Sequence, residues 1–273
     1  MRKLLFLLMA FIFVATGCKN NNPASYTKLG DYTPYGSYPE KLIGKVEKVV
    51  EKNYWAIPEG STFKKGNPIT IKDRDSLNWT NDFEALFDNN GTLLSCNLID
   101  ENGNSVTKWE MGKENNALAS AKRISRDTLR VYHKLKCNAD GEIVELSAYR
   151  PVADTLLARY TYYIASGKDT VISQYYDYKN VPGMKGIYLY NDNGQFIRGE
   201  SIMPSSGFDG AAEVKYNEKG KMSELKFYDK DKKVTDSNYF TYEYDQKGNW
   251  TKAVVKDDRG NVVIEERTYT YFE

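Results

Sequence analysis

Apolar and polar residues alternate along most of the chain. In 240–244, Phe240, Tyr242 and Tyr244 fall on one face, with Thr241 and Glu243 on the other; in 212–216, Ala212, Val214 and Tyr216 oppose Glu213 and Lys215. A period of two is that of a half-buried antiparallel strand. Other segments are less clean: Trp250, Lys252 and Val254 share a face, which places aromatic groups on both sides of the sheet. The alternating runs end in a recurring phrase, an apolar or aromatic residue, then Asp or Asn, two polar residues and Gly. It reads FDNNG at 87–91, IDENG at 99–103, YNDNG at 190–194, YNEKG at 216–220 and YDQKG at 244–248, with looser copies CNADG at 137–141 and KDDRG at 256–260. Asp or Asn opens a type I turn, and the Gly supplies the positive φ with which the strand re-enters a hairpin. The turn glycines are therefore Gly91, Gly103, Gly141, Gly194, Gly220, Gly248 and Gly260.

The phrase has a period. Gly141, Gly167, Gly194, Gly220 and Gly248 are spaced 26, 27, 26 and 28 residues apart. A second turn falls about halfway: Gly103 follows Gly91 by 12 residues, Gly260 follows Gly248 by 12, and Lys232 follows Gly220 by 12. Other half-turns have different chemistry, at Arg150 to Asp154 around Pro151, Lys179 to Gly183 around Pro182, and Pro204 to Gly210. Each unit is then two strands and two turns, and a regular period sets the fold before any other feature. Turns this close leave no room for crossover helices.

The count gives roughly fourteen to sixteen strands at about 4.8 Å spacing. Open sheets above about ten strands curl, split or close. The expected fold class is all-β: a repetitive antiparallel hairpin meander forming one strongly twisted, coiled sheet, with partial closure into a barrel as one way to end it.

Met1-Arg2-Lys3 is a short basic start, Leu4 to Val14 is apolar, and Ala15-Thr16-Gly17 precedes Cys18. The apolar run is too short for a stable span and has the layout of a signal peptide. Small residues ending at a Cys resemble the bacterial lipobox, which implies cleavage before Cys18 and its acylation; several acyl chains on one residue anchor stably. Residues 1–17 read as a lipoprotein signal peptide, 18–39 as a flexible tether rich in Asn, Pro, Ser, Gly and Tyr, and 40–273 as the repeat domain. The mature length is 273 − 17 = 256 residues, and losing Arg2 and Lys3 takes the formal charge from +1 to −1. Interspersed charges near neutrality carry no electrostatic footprint for nucleic acid. The membrane, reached through Cys18, is the expected partner at the N-terminus, with the chain lipid-anchored in the bacterial envelope at the outer membrane. The run Lys19-Asn20-Asn21-Asn22 lacks the acidic cluster that surface-exported lipoproteins of some groups carry, and favours the periplasmic side.

Little in the chain points to catalysis. Cys96 and Cys137 fall three predicted strands apart, roughly 14 Å at the usual spacing; a disulfide needs Cα atoms within about 7 Å, so both are expected as free thiols. The single histidine, His133, is expected as an exposed strand residue and cannot by itself build a His-rich metal site. The carboxylate pairs Glu265/Glu266, Asp257/Asp258 and Asp73/Asp75 could serve as acid and base of a glycosidase. The aspartates, however, stand in turns, and alternation sends Glu265 and Glu266 to opposite faces. No EF-hand loop or nonapeptide calcium repeat is present. No catalytic residue, metal ligand or cofactor is assigned.

Tyrosine is the enriched functional group, with 22 copies. It combines apolar area with a hydrogen-bonding tip, which suits protein and sugar partners; it is also a good strand former. A binding face of exposed rings would draw on Tyr175, Tyr178, Tyr242 and Trp250. Four sites read Asp, hydroxyl residue, aliphatic, at Ser76, Thr128, Thr155 and Thr170. They resemble the O-glycosylation acceptor motif of Bacteroidota envelope proteins, and they equally read as turn exits in which Thr starts the strand. Asn78-Trp79-Thr80 fits an N-glycan sequon by pattern alone.

YNEKG, YDQKGNW and YNDNG at these intervals resemble the YD repeats of RHS-type proteins over roughly residues 83–273. Behind a lipobox, the whole resembles the RHS-repeat-like lipoproteins of Bacteroidota. In large RHS proteins the repeats coil into a shell around a toxin domain; this chain has far fewer repeats and reads Tyr271-Phe272-Glu273 at its end. The resemblance implies hairpin architecture and is nearly silent on activity. The reading that follows is a non-enzymatic envelope lipoprotein with a binding or scaffold role toward a protein or glycan. The alternatives are a periplasmic carbohydrate-active enzyme using paired carboxylates and an immunity protein against a toxin.

Overall fold

The computed structural model describes residues 26–29, 40–73, 82–114, 117–137, 143–152, 154–164 and 169–273. Cys18, Ser76, Asp75, residues 78–80, Gly141 and Gly167 lie outside these. The strands in chain order are β1 (Tyr26–Leu29), β2 (Glu40–Ile43), β3 (Val46–Glu59), β4 (Thr62–Pro68), β5 (Asp82–Phe87), β6 (Leu93–Ile99), β7 (Ser105–Glu114), β8 (Ala117–Ser125), β9 (Thr128–Cys137) and β10 (Ile143–Arg150). They continue as β11 (Thr155–Ile164), β12 (Thr170–Asp177), β13 (Pro182–Tyr190), β14 (Phe196–Met203), β15 (Gly207–Tyr216), β16 (Met222–Tyr228), β17 (Val234–Tyr244), β18 (Trp250–Asp257) and β19 (Val262–Tyr271). The helical residues among those described are 71–73 alone. Tyr26–Leu29, within the stretch expected as a flexible tether, pair with Glu40–Ile43 as a separate two-stranded sheet.

The meander closes completely, which goes further than the expected partial closure. β3 and β5 to β19 form a sixteen-stranded antiparallel barrel. The seam is the pairing of the first barrel strand with the last, nine register pairs from Val46↔Tyr271 to Trp55↔Val263. β4 and β5 share the other edge of β3: β5 pairs along Lys48 to Glu51, and β4 along Tyr54 to Glu59. Closure removes the two edges that an open meander would leave for aggregation.

The turns have the expected mechanism. At Asp88, Asp100, Asn191, Asn217, Asp245 and Asp257 the side-chain Oδ1 accepts the backbone N–H groups two and four residues on. The backbone N–H three residues on donates to the carbonyl of the same Asp or Asn. Gly91, Gly103, Gly194, Gly220, Gly248 and Gly260 all have positive φ, between 72° and 93°. The turns at Asp88, Asp100, Asn191, Asn217 and Asp245 come with a register shift, and the residue before the Asp or Asn pairs with the one two after the Gly, as in Tyr216↔Met222 and Tyr244↔Trp250. Two more turns of the same build carry no glycine: Asp177–Val181 has Asn180 at φ 63°, and Asp229–Lys233 has Lys232 at φ 60°. The half-turn expected around Pro182 therefore sits earlier, with Pro182 already in β13. Similarly, the one expected at Pro204 to Gly210 ends at Gly207, and Gly210 is inside β15.

The turns at Asn191, Asn217 and Asp245 lie side by side on one rim, because two strands separate each from the next. The Gln195 side chain donates to the Gly220 carbonyl at 2.9 Å, and Asn217 Nδ2 donates to Tyr244 Oη at 3.2 Å. Lys219 and Lys247 stand over the rings of Tyr244 and Tyr271. The turn at Asp245 is clamped to β2: Asn249 Oδ1 accepts the Ile43 N–H at 2.7 Å and its Nδ2 donates to the Ile43 carbonyl at 2.8 Å. The neighbouring Leu42 is fully buried in the main core.

The register separates two faces. Following the pairs around the barrel, Val49, Ala85, Cys96, Trp109, Ala121, His133, Ala148 and Ala158 share a face, as do Tyr188, Gly199, Ala212 and Phe227. This face points inward and holds the core, with Phe83, Phe87, Tyr188 and Phe196 buried. The glycines make room for rings: a Cβ at Gly186 would lie 2.2 Å from Tyr188 Oη. The outward face is charged. Lys48 pairs with Glu84 at 2.6 Å, Lys215 and Lys226 share Glu224 at 2.6 Å each, and Lys252 meets Glu243 at 2.8 Å. Arg198 bridges Glu200 and Glu213. Each exposed pair contributes little, about 0–1 kcal/mol.

Candidate functional site

The inner face is not uniformly apolar. On β3, Glu51 and Asn53 follow Val49 at the inward parity; on β19, Glu265 and Arg267 follow Val263. All four are buried. The register sets Glu51 opposite Arg267, whose Nε donates to Glu51 Oε2 at 2.8 Å. The Arg267 guanidinium lies 3.8 Å from the centre of the Trp250 ring and 5.7 Å from that of Phe83. Asp82, at the start of β5, accepts both the Asn53 N–H at 2.9 Å and Asn53 Nδ2 at 3.0 Å. A charged cluster thus lies at the closing seam, walled by aromatics. Both partners of its ion pair are out of reach of solvent, so the arrangement locks strands together and offers no surface to a substrate.

The sequence-predicted binding aromatics do not make one exposed face. Trp250 is buried beneath Arg267, a correction to its expected exposure. Tyr242 is half-buried on the inner face, 5.6 Å from Trp250 centre to centre, with its hydroxyl donating to the Met222 carbonyl at 2.8 Å. Tyr175 also faces inward, paired with Tyr160. Tyr178 alone is well exposed, in the turn after β12. The inward rings recur with the repeat: the hydroxyls of Tyr216, Tyr242 and Tyr269 donate to the carbonyls of Phe196, Met222 and Trp250, each at 2.7–2.8 Å. These tyrosines serve the scaffold, fixing the strand that follows each turn.

The other candidates are dispersed. Glu265 faces inward and Glu266 outward, bound to Lys65 at 2.7 Å, as alternation requires. Asp257 caps its turn, and Asp73 accepts the Thr70 N–H and hydroxyl. His133 is not exposed; it packs edge-on against Trp109, ring centres 5.4 Å apart. Burial, helped by the positive charge of Arg123, pulls its pKa down to about 4. Cys96 is free and buried, and burial pushes its thiol far up. Cys137 is disulfide-bonded, which corrects the expectation of a free thiol there. The strand-spacing argument had excluded only its pairing with Cys96. Thr128 and Thr155 are exposed at the starts of β9 and β11, each just after an Asp at positive φ; Thr170 starts β12 half-buried.

The outer wall over β8 to β12 differs from the rest. Lys122, Arg130, Lys134, Lys136 and Arg159 point outward there, and Glu145 is the one carboxylate on these outward strand positions. Glu145 is shared, with Lys136 at 3.0 Å and Arg159 at 3.6 Å. Hydrogen bonds and the charges of these two cations outweigh partial burial and lower its pKa. Tyrosines lie between the cations. Tyr132 and Tyr149 stack at 5.2 Å with an interplanar angle of 14°, Lys134 stands 4.7 Å from the Tyr149 ring centre, and Arg159 lies 4.4 Å from that of Tyr176. Sequence reading missed this wall, although the run Arg130, Tyr132, Lys134, Lys136 carries the outward parity of one strand.

No family model matches the chain, and no curated protein matches it; the RHS/YD-repeat resemblance is thus not confirmed by any family. Solved structures similar to the chain include porin-like proteins and a putative lipoprotein-sorting protein domain. A porin-like protein from Bacteroides uniformis is 10% identical, with 82% of this chain and 98% of that chain covered and a TM-score of 0.47. A porin-like protein from Bacteroides vulgatus is 11% identical, covering 83% and 99%, TM-score 0.38. A putative outer membrane lipoprotein-sorting protein domain from Vibrio parahaemolyticus is 10% identical, covering 83% and 87%, TM-score 0.25. Likenesses this distant do not bear on activity, and the barrel rests on the strand pairing itself.

Proposed function

We propose that the chain is an envelope lipoprotein whose barrel works in water as a non-enzymatic binding or scaffold module toward a protein or glycan, and not as a pore. The observation that carries this is the polarity of the wall. A membrane barrel turns apolar residues outward and polar ones to its lumen. Here the order is reversed, with Lys48, Lys134, Arg159, Lys215 and Lys252 outward and Phe83, Phe87, Tyr188 and Phe196 inward. A Lys or Arg facing lipid at mid-bilayer costs about 2–4 kcal/mol, so a wall with charges on most strands is a water-facing wall. The leader and Cys18 supply the envelope address.

The test compares the full chain with its Cys18→Ser variant. The wild type should fractionate with membranes, with the mass of its N-terminal peptide showing acyl chains. The variant should be released into the aqueous fraction or stall before maturation. That mass decides the anchor. Neither form should conduct ions across a planar bilayer. A released variant that needs detergent to stay in solution, or a reproducible conductance, would overturn the reading.

A further inference from the structure

The geometry points to the outer wall over β8 to β12 as a docking surface for an acidic polysaccharide. This deepens the proposed binding role and rests on that wall facing water. The chain as a whole is balanced, with 38 Lys and Arg against 37 Asp and Glu, yet this wall is not. Among the described residues, Lys122, Arg130, Lys134, Lys136 and Arg159 face a single outward carboxylate on these strands, Glu145, which two of them already share. Lys134 also reaches Asp154 on the rim at 3.7 Å, a weak, exposed contact. Lys122 and Arg130 have no ion pair among the described residues. By contrast, over β14 to β18 the cations Arg198, Lys215, Lys226 and Lys252 are matched with Glu200, Glu213, Glu224 and Glu243.

An excess of cations selects an anion; the form of the patch selects its kind. Tyr132, Tyr149 and Tyr176 are half-buried and lie along the wall with Lys134 and Arg159 against them. Rings held this way cannot insert into a bilayer, as a membrane-surface element would need. They can pack against the apolar faces of sugar rings while neighbouring cations take carboxylate or sulfate groups. The patch also spans five adjacent strands of a convex wall, about 20 Å of arc. A flat bilayer would touch such a curve along a narrow line, whereas a flexible polymer can follow it.

The probe is polygalacturonate, with neutral dextran as its control, and the protein is the full chain extracted from its envelope in a neutral detergent. Wild type should bind polygalacturonate and not dextran, less tightly as salt rises. The paired substitution Lys134→Gln with Arg159→Gln should weaken binding about fivefold or more. The pair Lys252→Gln with Lys256→Gln on β18, equal in charge, should leave it unchanged. Tyr149→Ser, with unaltered melting temperature, should weaken it without changing the salt dependence. The proposal is overturned if the two paired variants lose binding equally, if polygalacturonate and dextran bind alike, or if the β9–β11 cations govern capture by phosphatidylglycerol micelles and not by the polymer. None of these results touches the water-facing barrel, which fractionation and conductance test separately.

Discussion

Glu51 and Arg267 stand 216 residues apart in sequence and opposite each other in register, and their side chains meet at 2.8 Å where the barrel closes. Neither is accessible to solvent. The pair marks the closing junction of the barrel, where the first barrel strand meets the last. Local turns supply every other neighbour relation from β5 to β19; this one depends on long-range pairing, whose chain-closure entropy must be met before any contact forms. A buried, hydrogen-bonded ion pair adds directional specificity there, since a slip of one residue would send both charges to the outer face and Val50 and Thr268 inward.

Removing one partner should therefore be severe. Glu51→Leu or Arg267→Met leaves a buried charge without its counter-charge, and a loss of about 3–5 kcal/mol is expected. The double variant Glu51→Leu with Arg267→Met should recover a large part of it, because two apolar side chains leave no charge to desolvate. Urea titration of the four proteins measures the coupling. Additive losses in the double variant would show that the two residues do not act as a pair.

The turn position after Asp-x-x admits a pair of opposite predictions. Gly220 and Gly248 have φ of 72° and 93°, and a Cβ at Gly248 would lie 3.0 Å from Ile43 Cδ1. Val at either position should cost roughly 1–3 kcal/mol, with Gly248→Val the worse because it also disturbs the Asn249–Ile43 clamp. Lys232 occupies the same turn position with φ 60° and an L side chain. Lys232→Gly should stabilise by about 0.5–1 kcal/mol, the left-handed strain outweighing the entropy of glycine. Melting temperatures moving the same way for Gly220→Val and Lys232→Gly would contradict the shared geometry.

These cases show what could be read from the chain. The turn chemistry was legible wherever Asp or Asn and Gly occur together, since both halves of the mechanism are side-chain properties. It was hidden at Asp177–Val181 and Asp229–Lys233, where Asn180 and Lys232 take the left-handed position that only the backbone reveals, and Pro182 drew the expected turn two residues too late. Alternation gave faces but not their sense: nothing local tells that the parity of Val49 is inward. Knowing the sense makes Glu51, Asn53, Glu265 and Arg267 conspicuous as polar residues at core positions, and Lys134 and Lys136 as a wall. His133 was misjudged for the same reason, because Tyr132 and Lys134 on either side look like an exposed strand whichever way it faces. Closure itself is non-local and has no turn to announce it.

Cys96 provides a simple check on the filled interior. It is fully buried on the inner face, with its thiol pushed up by burial and by the charge of Glu51. A thiol held protonated and out of contact with water is a poor nucleophile. Iodoacetamide at pH 8 should leave Cys96 unmodified in the native protein and alkylate it in denaturant, as followed by peptide mass. Native alkylation at the rate of a free thiol would mean that the wall opens readily or that the interior is wet.

His133 makes the fold sensitive to mild acid. It is the chain's one histidine, and burial with the nearby positive charge of Arg123 lowers its pKa from 6.5 to about 4. The folded protein therefore resists a proton that the unfolded chain takes up near pH 6.5. The contribution to stability is fully present above that value, declines as the pH falls, and is spent at about pH 4, where the folded state is protonated too. Between pH 7 and pH 5 the expected loss is about 2 kcal/mol. Phe at this position keeps a ring against Trp109 and cannot titrate, so His133→Phe should remain flat over the same interval, whatever its absolute stability. Carboxylates affect both proteins alike, which leaves the difference between the two pH profiles as the readout. Denaturant midpoints measured at half-unit steps would show wild type falling relative to the variant below pH 6.5. Parallel profiles would place the imidazole in contact with water and remove it from the inner wall.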